Sequence, residues 1–277
     1  MRRVLLLAVA GLLAASLVRF APGFEMDERE LTAALSDESR LALRQERDEE
    51  RQVFRYYGQL LAGLLRGDWG HSRLFDRPVV ELLGERGAST AWLVVSGWVI
   101  GWAAGLSAAL AGILFPPRWP GGVAAFLAGA VLAFPAAILG IFFSHWGGSV
   151  TLALALVVGS RVYFYCRNLL GQAVAKPHVV AAQARGIGSA RLLVWHVMAP
   201  LLPEMAALGA ASFTIALGAS VPIEAVCDLP GLGQLTWKAA QARDLALLVG
   251  LTWLMTAASL TANTLADLAA ANSRTTA

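Results

Sequence analysis

Few side chains in this 277-residue chain are spaced for catalysis. His71, His145, His178 and His196 form no His-Glu-x-x-His or comparable ligand pattern, so metal-assisted hydrolysis has no donor set to rest on. Cys166 and Cys227 form no cluster either. No Ser/His/Asp arrangement can be assembled. Lys176 and Lys238 do not follow a Gly-x-x-x-x-Gly pattern, so the phosphate loop of an ATP-binding site is missing. The reading therefore assigns no catalytic residue, no metal and no cofactor. What remains is chemistry of contact and movement. The stretch Val179-Val180-Ala181-Ala182-Gln183-Ala184-Arg185-Gly186-Ile187-Gly188 runs on through Trp195-His196 to Pro200 and Pro203. It is rich in small residues, basic and free of acids. Small residues let another backbone approach closely, and a glycine ends or bends a short helix without steric cost. Pro200 and Pro203 suit the first turn of a following helix. The expectation is a short helix, a glycine-marked turn and a new helix. Taken alone, the stretch is equally an ordinary loop between helices.

The elements that hold this segment are apolar. Charged residues make up 15% of the chain, against about 25% in a soluble domain, and the mean hydropathy is +0.60. Several runs approach the ~20 residues that cross a bilayer as a helix. The fold class is all-α, a polytopic membrane protein with six transmembrane helices, at about 4–20, 91–114, 123–143, 150–166, 201–221 and 245–268. The first run, after Arg2 and Arg3, has the outline of a signal peptide, but no small-x-small cleavage site follows it and a retained helix is favoured. Phe134-Pro135 predicts a kink in the third span, with packing as its default reason. Arg161 in the fourth span is a functional candidate by default, though snorkelling to the nearby end ranks higher. Glu204 near the start of the fifth span suits a helix N-terminus.

The loops orient the spans. Residues 167–199 carry Arg167, Lys176, Arg185 and Arg191 and no acid, which places them in the cytoplasm under the positive-inside rule. Arg2, Arg3, Arg118 and Arg274 then fall on the same side, so both termini are cytoplasmic. The 24–90 stretch, where most of the acids lie, falls outside. Its mixed run at 44–51 reads as a solvated face. Phe54, Tyr57, Leu61, Leu64 and Leu65 form an amphipathic stripe that rests on the membrane surface or on other helices. The domain reading is 1–23 as first helix, 24–90 as external loop with amphipathic helix, and 91–277 as a five-helix core with the cytoplasmic loop 167–199.

Five segments, in order, resemble the dipeptide/oligopeptide/nickel branch of the inner-membrane permeases of ABC importers (first-permease type). They are the Arg19-Phe20-Ala21-Pro22-Gly23 helix end, the Gly67-Asp68-Trp69-Gly70-His71-Ser72 turn, the Ala181-Ala182-x-x-x-Gly186 loop with His196 and Pro203 downstream, the Glu224…Pro230-Gly231-Leu232-Gly233 segment, and the last helix with Asn263 and Asp267. Arg243-Asp244 matches the family's continuation less fully, and Val180 stands where the general loop pattern has Glu. The resemblance implies a type I ABC-importer permease fold in a bacterial or archaeal inner membrane. It implies a transport subunit for di- or oligopeptides or nickel chelates, with ATP hydrolysis on separate cytoplasmic ABC ATPase subunits. Other implied partners are a second homologous permease, an external solute-binding protein and the lipid bilayer, with no nucleic acid. Ala181, Ala182, Arg185, Gly186, His196 and Pro203 would couple to the ATPase through the 179–200 loop. Gly67, Asp68, Gly70, Glu224, Pro230, Gly231 and Gly233 would lie on the external gate and binding-protein side. The rival is an ion-gradient-driven secondary transporter, for which Arg161 and Glu224 are weak ion-site candidates and no internal repeat is evident. A membrane-embedded enzyme is a second rival, without a site.

Overall fold

The computed structural model describes residues 6–7, 9–13, 16, 53–64, 66–114 and 120–275. Most of the expected first span, the 24–50 stretch and the loop around Arg118 lie outside the described residues. Helix α1 (Val53–Leu64) precedes a two-stranded antiparallel hairpin, β1 (His71–Ser72) and β2 (Arg77–Pro78), with His71 opposite Pro78. Helices α2 (Val79–Leu114), α3 (Pro120–Ala133), α4 (Ala136–His145), α5 (Val150–Val174) and α6 (Pro177–Ala184) follow. Helix α7 (Ser189–Val226) is continuous but widens to π geometry over Leu192–Met198. Helices α8 (Leu232–Gln241) and α9 (Leu245–Thr275) complete the order.

Helices α2, α5, α7 and α9 are each long and apolar enough to cross a bilayer, and α3 with α4 makes a fifth span if that bent pair is counted as one. The all-α polytopic architecture is as expected. Its boundaries differ from the sequence reading. Helix α2 begins at Val79 rather than near residue 91, because Arg77 pairs with Glu81 at 2.7 Å and donates to Glu85 Oε2 at 3.1 Å, tying the hairpin to the first turns of the helix. Helix α5 continues past Cys166 to Val174. Arg161 is therefore mid-helix, roughly 16 and 20 Å from the two ends at 1.5 Å per residue. Glu204 is likewise deep inside α7, so the helix-terminus argument does not apply to it. The prolines do not open α7. The helix starts at Ser189, and its π-helical stretch lies just before Pro200 and Pro203, which lack the N–H that an α-helical ladder would need.

The chain folds as two compact units, one of residues 1–87 with 235–257 and one of 88–234 with 258–277. In the first, Tyr57 from the amphipathic stripe packs on Trp253 in a tilted pair with ring centroids 5.9 Å apart. Val249 joins them, with Leu12 and Leu60 packed around the cluster. Tyr57 of the stripe thus packs against other helices. Trp69 meets Trp253 edge-on. In the second unit, a row of glycines lets α2 and α5 touch backbone to backbone. A Cβ on Gly101 would lie 2.7 Å from the Ala155 carbonyl oxygen, and one on Gly105 2.5 Å from that of Gly159. Close approach of small residues is a main source of helix association in membranes, where apolar burial gives little drive. With that face of α5 fixed against α2, Val157 and Arg161 are left to face the break between α3 and α4. This break is larger than the expected kink: the two helices are bent by 100° at Phe134–Pro135.

Candidate functional site

The loop after α5 folds as its residue types require. Lys176 is extended, as a residue before proline must be, and Pro177 occupies the first turn of α6. The helix ends at Gly186, where φ is +78°. The Gly186 N–H donates to the Gln183 carbonyl at 3.0 Å and the Ile187 N–H to the Ala182 carbonyl at 3.4 Å. That pair of bonds is a Schellman end, which demands a left-handed residue and so favours glycine. Val179 and Ala182 are buried. Val180, Ala181, Gln183 and Arg185 are exposed. Ala181 and Ala182 thus serve opposite faces: Ala182 seats the helix on its own unit and Ala181 looks outward with Arg185.

Helix α6 is tied to the base of α7. Pro200 cannot donate the usual i+4 bond to the His196 carbonyl, and in the tautomer with a proton on Nε2, His178 donates to that carbonyl at 3.3 Å. His196 is half-buried. Pro203 is half-buried about two turns further along. Of the six residues assigned to this loop, Ala181, Ala182, Arg185 and Gly186 sit together on α6 and its cap. His196 reaches α6 through its backbone, and Pro203 stands apart on α7.

The other assigned group divides between the two units. In the first, the Gly70 N–H donates to Asp68 Oδ1 at 2.9 Å, making a turn in which Gly67 and Gly70 both have positive φ. The hairpin that follows is anchored by a residue the sequence reading only touched on. Asp244 is 1% exposed, and its Oδ2 accepts the Ser72 hydroxyl at 2.6 Å and the Leu74 N–H at 3.1 Å. Its Oδ1 caps α9 by accepting the Leu247 N–H at 3.1 Å. A signal was present, since Asp stands one residue before an apolar run.

In the second unit, Glu224 ends α7 with its carboxylate buried. Oε2 accepts the Gly233 N–H at 2.6 Å, and Thr90 Oγ1 accepts the Leu232 N–H at 2.7 Å. Gln234 donates to Asp228 Oδ1. A Cβ on Gly231 would fall 2.2 Å from Glu224 Oε2 and 2.6 Å from Thr90 Oγ1. Glu224, Gly231 and Gly233 are therefore one knot, with Thr90 as an unforeseen fourth member, while Pro230 is exposed beside it. Glu224 Oε2 is thus engaged by loop backbone, while Oε1 is buried without a hydrogen-bond partner among the described residues. Among the described residues no group of His, Cys, Asp and Glu could hold a metal.

The family model described as "Binding-protein-dependent transport system inner membrane component" matches residues 101–274, which contain α6, its glycine cap, α7 and, of the knot, Glu224, Gly231 and Gly233. The chain belongs to this family. It is thus a transport permease subunit of the inner membrane rather than an enzyme. Among curated proteins, the permease is 22% identical over 220 residues to the glutathione transport system permease protein GsiC of Shigella flexneri, covering 73% of this chain and 72% of that one. It is 25% identical over 199 residues to GsiC of Salmonella choleraesuis, covering 65% of each. The permease is similar to GsiC of Escherichia coli K12 at 22% over 220 residues. The chain therefore spans about two thirds to three quarters of the length of these relatives.

Proposed function

We propose that the permease forms the translocation path of an ABC importer for peptide-like solutes, and that α6 is the lever through which separate ATPase subunits drive it. The GsiC relatives carry glutathione, a small peptide-like anion, in their names, which supports the substrate class. The observation that carries the mechanism is the build of α6. It is short, acid-free and capped at Gly186, with Val179 and Ala182 turned inward and Val180, Ala181 and Arg185 outward. An exposed helix of this kind fits a groove on a partner. Its seat on α7, which includes the His178–His196 contact, passes a push on α6 directly to a long transmembrane helix, and ATPase closure then switches the spans between outward-open and inward-open arrangements.

The remaining assignments follow from this reading. Six spans place both termini and α6 in the cytoplasm, and put the Gly67-Asp68-Gly70 turn and the Glu224 knot outside, on the side of a solute-binding protein. A second homologous permease completes the path as a heterodimer. The ion-driven alternative lacks an evident internal repeat. The test is ATP-dependent uptake of glutathione and small peptides by the reconstituted complex. Wild type accumulates them, and Gly186→Asp, whose altered cap no longer holds the ATPase, does not. Uptake driven by an ion gradient in the absence of ATP would refute the reading.

A further inference from the structure

The charged group that the coupling account leaves unused is Arg161. It lies within α5, a helix long and apolar enough to cross a bilayer, where a cation facing lipid is costly and one facing a bundle interior or water-filled cavity is tolerated. Its side chain is exposed and lines a cavity of about 470 Å³ in the second unit. The other walls are Val131 to Ala136 at the α3–α4 break, Val157, Ile215 and Ala219. Among the described residues no acid pairs with Arg161. The same cavity receives the N-terminal end of α4. Pro135 begins that helix without a side-chain cap, and among the described residues the N–H groups of Ala136 and Ala137 have no backbone acceptor. A ten-residue helix presents the positive end of its dipole there. A discontinuous membrane helix with its N-terminus at a cavity is a physical arrangement suited to an anionic group.

We infer that Arg161 and the α4 N-terminus form a carboxylate-recognition site in the permeation path, taking an anionic end of the transported solute. The inference rests on the importer reading for the solute, but not for the site. A guanidinium offers two parallel donors to a carboxylate, and the α4 N–H groups add donors that need no side chain. The other walls are apolar side chains, which suits a site that must release what it binds. The peptide backbone and side chains of the solute would then go largely unread, and the acid end would set the register.

The test uses two labelled probes, trialanine and trialanine amide, which differ at the C-terminal carboxylate. Equilibrium binding is measured on the permease in lipid nanodiscs, alone and in the assembled importer. Wild type should prefer the acid by about tenfold, the scale of one charge-assisted hydrogen bond. Arg161→Lys should keep most of that preference. Arg161→Gln should remove it by weakening the acid alone, with amide binding unchanged. Absence of acid preference in wild type overturns the site. So does a preference that survives Arg161→Gln, or equal loss of both probes in Arg161→Gln and Arg161→Lys. Dissociation of a second permease in Arg161→Gln with an unchanged acid-to-amide ratio would assign the arginine to an interface instead. A complex that binds the acid through Arg161 but shows no ATP-dependent uptake would refute the importer reading and leave this site standing.

Discussion

Gly186 and Gly231 occupy opposite kinds of place. Gly186 ends an exposed helix, has a φ of +78° and would meet nothing within 4 Å if it carried a Cβ. Gly231 is buried, and a Cβ there would press into Glu224 and Thr90. One glycine is there for conformation and the other for space. The first marks a segment free to move against a partner. The second marks a knot that fixes the end of α7 to the loop beyond it. A lever needs both: an end that can be pushed and an end that does not yield.

This contrast predicts unequal responses to substitution. Gly231→Ala should have the largest effect on stability, about 3 kcal/mol, because it overpacks the knot and displaces a buried hydrogen bond. Thermal unfolding in detergent checks this, and a near-normal melting temperature would mean the knot is looser than described. Asp244→Ala should cost about 2 to 3 kcal/mol by orphaning Ser72 and two N–H groups, with Asp244→Asn recovering part of it in the same assay. Glu224→Gln should cost about 1 kcal/mol, since the amide oxygen still accepts from Gly233 but the charge is lost. ATP-driven uptake by that variant should persist, because no transported ion is assigned to Glu224. Gly186→Ala should be mildest, about 1 kcal/mol of local strain at positive φ, with a nearly unchanged melting temperature.

Much of this was legible from sequence where the signal is long or chemically strict. The apolar runs of α5, α7 and α9 declare themselves by length, and Gly186 by its place after an alanine-rich helix. The run of Pro230, Gly231 and Gly233 marked a turn, but not the Thr90 bond that crosses from α2, because contacts between distant positions leave no local pattern. The end of α5 falls later than its apolar run for a definite reason: the run stops near Cys166, whereas the helix continues through polar residues to Val174. The hairpin was missed because two residues per strand show no alternation, although Gly70 and Asp76 are turn residues with positive φ. The Pro135 break was underestimated because membrane helices tolerate proline, and only the 100° bend shows that the ladder gives way.

The central claim, that α6 is the contact through which ATPase subunits move the permease, is tested most directly by co-purification in mild detergent of the tagged chain, wild type beside Gly186→Asp. An aspartate is tolerated better than most residues at positive φ, so the fold should survive while its charge alters the exposed cap. The account predicts that wild type brings down an ABC ATPase and a second permease, and that Gly186→Asp keeps the second permease but loses the ATPase. Retention of the ATPase with normal uptake by Gly186→Asp, or recovery of the wild-type chain alone with ion-driven uptake, would contradict it.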